Sequence, residues 1–262
     1  MAQGGIHDHL NGRFARYATD AHCRVPHFEK MLYDNVQLLE LYAKAYLKDP
    51  DPLYKKTVEG IVEFCQRELQ NPAGGFYPSL DDKILTSWNA SMIKGLCWAY
   101  IAFEASRYLT LAQKTAEILE TNLQKPRGGL YAVWARGTAS IEGFASDYAF
   151  LGDALLDLHE VTGVARYLSW AEQLCSYLIE NFSVPGKARF CFSTHPLIPG
   201  LGPRIEDTDS VLPSSNAVAA DVLLRLGRVL HKNEYIDRSI ALLHEGEAFE
   251  TLAHHELRAY IH

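Results

Sequence analysis

Apolar residues recur every three or four positions in eight segments of the chain, which is the spacing of an amphipathic α-helix. Short DP, TG and KN connections join these segments in pairs, so the pattern predicts antiparallel helical hairpins. The four hairpins are predicted at about residues 34–69, 88–123, 146–182 and 215–243, with a short ninth helix after them. We therefore expect one all-α domain over residues 1–262.

The predicted hairpins also share a register, which indicates an internal repeat. The second helix of each hairpin opens with a tyrosine, and the four are Tyr54, Tyr108, Tyr167 and Tyr235. Nineteen residues before each tyrosine, at the start of the first helix, stand Asn35, Asn89, Tyr148 and Asn216. Equal intervals in four hairpins predict four equivalent units, each of which buries its apolar face against its neighbours.

The repeat register predicts where the N-termini of the first helices lie. If the first helices form an inner layer, their N-termini lie at one end and present free N–H groups there. The residues just before the register positions are Asp34, Trp88, Asp147 and Ser215. Aspartate and serine are preferred N-cap residues, so capping is the alternative to a functional role for three of them. Trp88 does not fit capping and is expected either in the core or as a surface on which a sugar stacks.

Charge and composition exclude several partners. The net charge is −7 with acidic and basic residues interspersed, which argues against binding of nucleic acid. No apolar run is long enough to span a membrane, and the N-terminus does not resemble a secretory signal, so we expect a cytoplasmic protein. The five cysteines include no CxxC, and we expect reduced, mostly buried thiols. No metal site or cofactor is predicted.

Carboxylates near the predicted helix starts are the main chemical candidates. Glycoside hydrolysis needs two carboxyl groups on either side of a sugar, and helix ends of different repeats could supply them. For Glu29 the alternative is an exposed ion pair with Lys30. His9 and His27 could transfer protons, and the alternative for each of them is a structural role. Further carboxylates with weaker support are Asp81, Glu142, Asp207 and Asp209. The chain contains no motif of P-loop, dinucleotide-binding, α/β-hydrolase or zincin enzymes.

Five sequence motifs resemble a known family. The motifs are GGIHDHLNGRFARY, VPHFEKMLYDNVQLL, DDKILTSWNASMIKGL, GFASDYAFL and LPSSNAVAA. They are similar to those of the thioredoxin-domain-containing, N-acylglucosamine 2-epimerase-like proteins, and the likeness extends from about residue 4 to about residue 243. The resemblance implies an (α/α) toroid of the six-hairpin glycosidase-like superfamily.

The chain departs from that family in three ways. It lacks the upstream thioredoxin-like domain and a helical hairpin before the first motif, and Leu80 meets Asp81 where the family has a longer segment. We therefore predict an incomplete (α/α)6 barrel of four to five hairpins. Its open ends would expose apolar helix faces, which favours a homodimer.

Three functions remain open at this point. The leading prediction is a glycoside hydrolase acting on a small-molecule or oligosaccharide substrate. The alternatives are a sugar 2-epimerase or isomerase and a non-catalytic sugar-binding or scaffold module. The predicted catalytic residues are Glu29, Asp34, Asp82, Asp147 and His27. The predicted substrate-binding residues are His9, Lys30, Asn35, Trp88, Asn89, Tyr148 and Asn216.

Overall fold

The fold is mostly helical in a computed structural model, which describes residues 1–79, 81–195, 202–206 and 208–245. Within these ranges there are eight α-helices, which form four consecutive pairs. They are α1 (Leu32–Lys48), α2 (Pro52–Phe64), α3 (Thr86–Phe103), α4 (Ser106–Leu123), α5 (Ala145–Thr162), α6 (Ala165–Phe182), α7 (Ser215–Leu230) and α8 (Asn233–Glu245). None of them is both long enough and apolar enough to cross a membrane. Asp207 and the predicted ninth helix lie outside the described residues.

Five short strands accompany the helices in the described part of the chain. They are β1 (His7–Asp8), β2 (Arg13–Phe14), β3 (Lys83–Leu85), β4 (Tyr131–Ala135) and β5 (Thr138–Glu142). Strands β1 and β2 pair antiparallel, and β4 lies between β3 and β5 in a second sheet. The sequence analysis did not predict this second sheet. Arg136 and Gly137 join β4 to β5 with positive φ angles of 50° and 79°, the backbone that a two-residue hairpin turn requires.

The chain divides into two compact units. The first contains residues 1–124, 131–141 and 160–163, and the second contains residues 125–130, 142–159 and 164–262. The single domain predicted over residues 1–262 stays a prediction.

In the first unit, α1 packs against α2 and α3, and α3 packs against α4. The approach of α1 to α3 is close at Gly95, where an added Cβ would lie 3.0 Å from a methyl group of Leu39 and 3.2 Å from the carbonyl oxygen of Val36. A larger side chain at position 95 would therefore separate the two helices.

In the second unit, α5 is the more buried helix of its pair. It buries 13 of its 18 residues, whereas α6 buries 7 of 18, so α5 takes the inner position predicted for the first helix of a hairpin. Arg225 on α7 donates hydrogen bonds to Asp153 and Asp157 on α5, each 2.6 Å long. These bonds join α5 to α7 and pair two carboxylates that are almost fully buried.

The predicted repeat is present in the backbone. Tyr54, Tyr108, Tyr167 and Tyr235 are each the third residue of their helix. The N–H of each donates to the carbonyl oxygen three residues earlier. The nineteen-residue register found in the sequence therefore identifies equivalent positions in all four hairpins.

The residue nineteen positions before each tyrosine makes side-chain hydrogen bonds that recur in all four hairpins. Asn35, Asn89 and Asn216 are fully or almost fully buried, and their Oδ1 atoms accept the N–H of Phe14, Phe76 and Phe190, over 2.9, 2.7 and 2.8 Å respectively. Each Nδ2 donates back to the carbonyl oxygen of the same phenylalanine. In the remaining hairpin the Tyr148 hydroxyl accepts the N–H of Leu130 over 2.8 Å. We call these four side chains the clasp residues, and each ties an extended segment to the start of a first helix.

Neither Asp34 nor Ser215 occupies the N-cap position that was the alternative to a functional role. Asp34 lies in the first turn of α1, whose N-cap is Met31. The helix begins two residues earlier than predicted because Leu32 and Tyr33 are buried as part of its first turn. Ser215 is the first residue of α7, and Ser214 is the cap, since its Oγ accepts the N–H of Ala217 over 3.2 Å. Asp147 stabilises its helix start as expected, although from the first turn, by accepting the N–H of Phe144 over 2.9 Å.

The thiols provide a test of the burial pattern. The thiols of Cys65, Cys97, Cys175 and Cys191 are buried, whereas the Cys23 thiol is exposed. Burial raises the pKa of the Cys65 and Cys175 thiols to about 12, which suppresses the reactive thiolate. A short iodoacetamide pulse followed by peptide mass spectrometry should label Cys23 alone, and all five cysteines should be labelled in denaturant. Labelling of Cys65 as fast as Cys23 in the native protein would contradict this packing.

Candidate active site

A short hairpin before α1 brings the first site residues together. The N–H of Arg16 donates to the carbonyl oxygen of Glu29 over 3.0 Å, and the N–H of His27 donates to that of Tyr17 over 2.8 Å. At the tip, Asp20 Oδ1 accepts the N–H groups of the residues at 24 and 25 over 2.8 and 2.7 Å. These bonds hold the pKa of Asp20 below its usual value. The hairpin of residues 16–29 is thus fixed at both ends.

Glu29 is the first carboxylate of the site. Its Oε2 lies 3.4 Å from Arg16 Nη1 and 3.7 Å from His27 Nδ1. The N–H of Glu29 donates to His27 Nδ1 over 3.2 Å, so the imidazole is oriented by the backbone next to the carboxylate. The Glu29 side chain is 40% exposed, which leaves it open to a ligand from solvent.

Asp34 is the second carboxylate and has a different environment. Its Oδ2 is buried without a hydrogen-bond partner in the described part of the chain. Burial raises the pKa of Asp34, the Arg16 guanidinium lowers it and the Glu29 carboxylate raises it, so that the pKa is about 6. The site therefore holds two carboxyl groups in unequal surroundings, and Asp34 keeps its proton to a higher pH than an ordinary aspartic acid does.

Tyr33, which precedes Asp34 in the chain, packs against Trp88. Tyr33 is 2% exposed, and its buried hydroxyl has no hydrogen-bond partner within the described residues. Burial raises the pKa of Tyr33, and the Asp34 carboxylate raises it further. Trp88, at the start of α3, lies edge-on to the Tyr33 ring at 4.8 Å, and the Arg16 guanidinium lies 5.9 Å from the centre of the same ring. We call Arg16, His27, Glu29, Tyr33, Asp34 and Trp88 the carboxyl cluster.

The structure thus brings together four residues that the sequence nominated. His27, Glu29, Asp34 and Trp88 all belong to the carboxyl cluster, and Lys30 follows Glu29 in the chain with partial exposure. Two other candidates of the first unit make different contacts. The Nδ1 of His9 lies 3.4 Å from that of His7, and Asp82 accepts a hydrogen bond from the exposed Arg136 over 2.6 Å.

The other predicted residues have structural contacts. Asp147, in the second unit, is 2% exposed and bonds its own helix start. Asn35, Asn89, Tyr148 and Asn216 are the clasp residues, whose polar atoms bind backbone groups. Their predicted roles in catalysis or substrate binding remain predictions, and the geometry gives each of them an architectural role.

Four residues near the carboxylates were not predicted from the sequence, namely Arg16, Tyr17, Phe28 and Tyr33. Arg16 and Tyr17 stand in the GRFARY motif, but only the pairing of the hairpin places them opposite His27 and Glu29. The sequence does show that Arg16-Tyr17 and His27-Phe28-Glu29 lie about ten residues apart. They also lie in a segment that has no counterpart in the other hairpins. Among the described residues, no three His, Cys, Asp or Glu side chains are grouped to hold a metal ion.

No family model matches the chain. A search of curated proteins finds spermatogenesis-associated protein 20 from Homo sapiens at 24% identity, covering 93% of this chain and 47% of the relative. The chain spans about half the length of this relative. The alignment runs over 371 residues, although the chain has 262, so it includes residues of the relative that have no counterpart in this chain. The longer segment expected where Leu80 meets Asp81 stays a prediction.

Solved structures with a similar fold include sugar-processing enzymes. Cellobiose 2-epimerase from Spirochaeta thermophila has a TM-score of 0.79 at 17% identity, and the match covers 92% of this chain and 64% of the epimerase. A glycoside hydrolase family 76 mannosidase from Bacteroides thetaiotaomicron has a TM-score of 0.69 at 14% identity, over 92% of this chain and 66% of the mannosidase. The chain is therefore similar in sequence to spermatogenesis-associated protein 20, and its helical fold is similar to that of these sugar epimerases and glycosidases.

Proposed function

We propose that the protein is a carbohydrate-active enzyme that hydrolyses glycosidic bonds with Asp34 and Glu29 as its carboxyl pair. The observation that carries the proposal is the buried Oδ2 of Asp34, which has no hydrogen-bond partner within the described residues, close to the solvent-open carboxylate of Glu29. This arrangement raises the pKa of Asp34 to about 6. Glycosidases use two carboxyl groups whose environments separate their protonation states. The toroid fold, which the family 76 mannosidase shares, supports this choice of chemistry.

The surroundings of the two groups suggest their roles. Protonated Asp34 would donate its proton to the glycosidic oxygen, and the bond between that oxygen and the anomeric carbon would break with its electron pair leaving on the oxygen. Glu29 Oε2 lies 3.4 Å from the Arg16 guanidinium. Its carboxylate would then either attack the anomeric carbon or take a proton from the attacking water. Trp88 would offer its ring to the sugar, as the sequence predicted.

A second candidate function is supported by His27. A sugar 2-epimerase or isomerase moves a proton next to a carbonyl group and needs a base such as histidine. His27 Nδ1 lies 3.7 Å from Glu29 Oε2, so an imidazole and a carboxylate share the same site. The cellobiose 2-epimerase is also among the proteins with a similar fold. Solvent deuterium appearing at C2 of mannose, N-acetylmannosamine or cellobiose, without cleavage of a glycosidic bond, would favour this candidate over hydrolysis.

A panel of aryl glycosides, manno-oligosaccharides and cello-oligosaccharides tests the hydrolase proposal. We expect turnover of at least one member by the wild-type protein. Glu29→Gln should lower kcat/KM by about 100-fold, because the neutral amide can neither attack the anomeric carbon nor accept a proton. The measurement is reducing-sugar or aryl-alcohol release under initial-rate conditions.

Glu68→Gln is the matched control for this variant. It also neutralises an exposed glutamate of the first unit that is paired with an arginine, and we expect it to keep wild-type kcat/KM. Two results would count against the proposed pair: no hydrolysis of any panel member, or equal losses in the Glu29 and Glu68 variants.

A further inference from the structure

Three rings of the hairpin of residues 16–29 form a continuous stack. The Tyr17 and His27 rings lie 4.5 Å apart at 20°, and the His27 and Phe28 rings lie 4.4 Å apart at 28°. His27 is therefore held between two aromatic rings. Phe28 is 80% exposed and Tyr17 is 46% exposed, so both outer rings of the stack remain open to solvent.

The scaffold does not account for this exposure. A phenylalanine contributes to folding through burial of its ring, and Phe28 leaves most of that area in water. The stack is also not part of the repeated hairpin pattern. The backbone bonds between Tyr17 and His27 and between Arg16 and Glu29 fix the main chain on both sides of the stack, so the backbone that carries the rings is ordered before any ligand binds.

The stack is continuous with the carboxyl cluster. His27, its middle ring, lies 3.7 Å from the Glu29 carboxylate through Nδ1. Arg16 and Glu29, next to Tyr17 and Phe28 in the chain, supply a guanidinium donor and a carboxylate acceptor at the same edge. An aromatic face bordered by fixed hydrogen-bonding groups suits the apolar C–H face and the equatorial hydroxyl groups of a pyranose ring.

We propose that the exposed Phe28 face of the Tyr17–His27–Phe28 stack is a sugar-binding subsite beside the Glu29–Asp34 pair. The substrate is then an oligosaccharide of at least two units, one at the carboxylates and the next on the stack. This inference rests on the proposed function and adds the substrate class to it. A second copy of the chain is a poorer occupant, because a stable dimer buries roughly 800 Å² per partner, far more than one ring offers.

Calorimetric titration tests the subsite without turnover. The probes are mannose, glucose, and thio-linked manno- and cello-tetrasaccharides, whose sulfur linkages resist hydrolysis, and the protein is the full wild-type chain. We expect at least one tetrasaccharide to bind more tightly than its monosaccharide. Phe28→Ala should weaken that tetrasaccharide about tenfold and change monosaccharide binding less than twofold, since only the longer ligand reaches the ring.

Two further variants complete the test. Phe28→Tyr keeps an aromatic face and should bind within about twofold of wild type. Leu41→Ala removes another exposed apolar side chain, 55% exposed on α1, and should have no effect on either probe. The inference is overturned if no probe binds, if Phe28→Ala and Leu41→Ala bind the tetrasaccharide equally, or if Phe28→Ala changes only the oligomeric state. Ring-dependent binding in a protein without turnover would instead retain the subsite and reject the hydrolase proposal.

Discussion

Asp34→Asn is expected to lower kcat/KM for a sugar substrate by about 1,000-fold and, at the same time, to stabilise the protein above neutral pH. The loss of rate follows because an amide cannot donate the proton that the leaving oxygen needs, and general acid catalysis typically contributes 10²- to 10⁴-fold. The stabilisation follows from the buried Oδ2, which has no hydrogen-bond partner in the described structure. A neutral amide costs less to bury there than a carboxylate does.

The pH dependence of this stability change has a definite sign. The pKa of Asp34 rises from 3.8 to about 6 on folding, so between these values the folded state binds more protons than the unfolded state. The contribution of Asp34 to the free energy of unfolding therefore falls as the pH rises from about 4 to 6, and it stays low above pH 6. Allowing for partial exposure, Asp34→Asn should raise the free energy of unfolding by about 1 to 2 kcal/mol at pH 7.5 and change it little at pH 4.

Urea unfolding of the wild-type and variant proteins at pH 4 and pH 7.5 measures this difference. Asp81→Asn is the control with the opposite environment, because a hydrogen bond from Lys83 lowers the pKa of Asp81. It should not stabilise the protein at pH 7.5. Full activity in Asp34→Asn, or a lower stability than wild type at pH 7.5, would remove Asp34 from the proposed pair. A gain in stability with a loss of rate is characteristic of a residue kept for function.

Asn89→Ala is expected to destabilise the protein by about 3 kcal/mol. The substitution removes three hydrogen bonds, one from the Phe76 N–H and two to the carbonyl oxygens of Phe76 and Leu85. Asn89 is fully buried, so these backbone groups lose their partner where water does not replace it. A buried group left without a partner costs about 1 to 3 kcal/mol. The thermal midpoint should fall by several degrees in calorimetry or circular dichroism.

Asn122→Ala is the control that measures how much stability is lost when an asparagine outside the clasp residues is removed. Asn122 lies on the outer helix α4, partly exposed, and its Nδ2 makes one bond to the carbonyl oxygen of Ile118 over 3.0 Å. Its removal should cost less than about 0.5 kcal/mol. If both variants lose the same stability, the clasp contributes nothing beyond an ordinary helix side chain.

The sequence predicted the repeated architecture more accurately than the local detail. The interval from Asn89 to Tyr108 is set by the length of a helix and a short turn, and the same interval recurs in every hairpin. Because packing of equivalent helices depends on this spacing, counting alone identified the clasp positions. The start of α1 was misplaced because the cap preference of Asp34 was given more weight than the burial of Leu32 and Tyr33.

The candidate site was only partly predictable for a different reason. Glu29 and Asp34 are close in the chain, and their chemistry could be recognised from their residue types. Arg16 reaches Glu29 only through an irregular backbone hairpin, which has no periodic sequence signal. The raised pKa of Asp34 depends on its burial at the first turn of α1, and burial of that kind follows from tertiary packing.

A carboxyl-detected NMR titration of Asp34 in the wild-type protein tests whether Asp34 is the proton donor. The protein is labelled with ¹³C at the aspartate side chains, and Asp34→Asn assigns the resonance by its absence. We expect a titration midpoint near pH 6, because the half-buried carboxyl group retains its proton. A midpoint near the ordinary aspartate value of 3.8 would contradict the assignment of Asp34 as the proton donor.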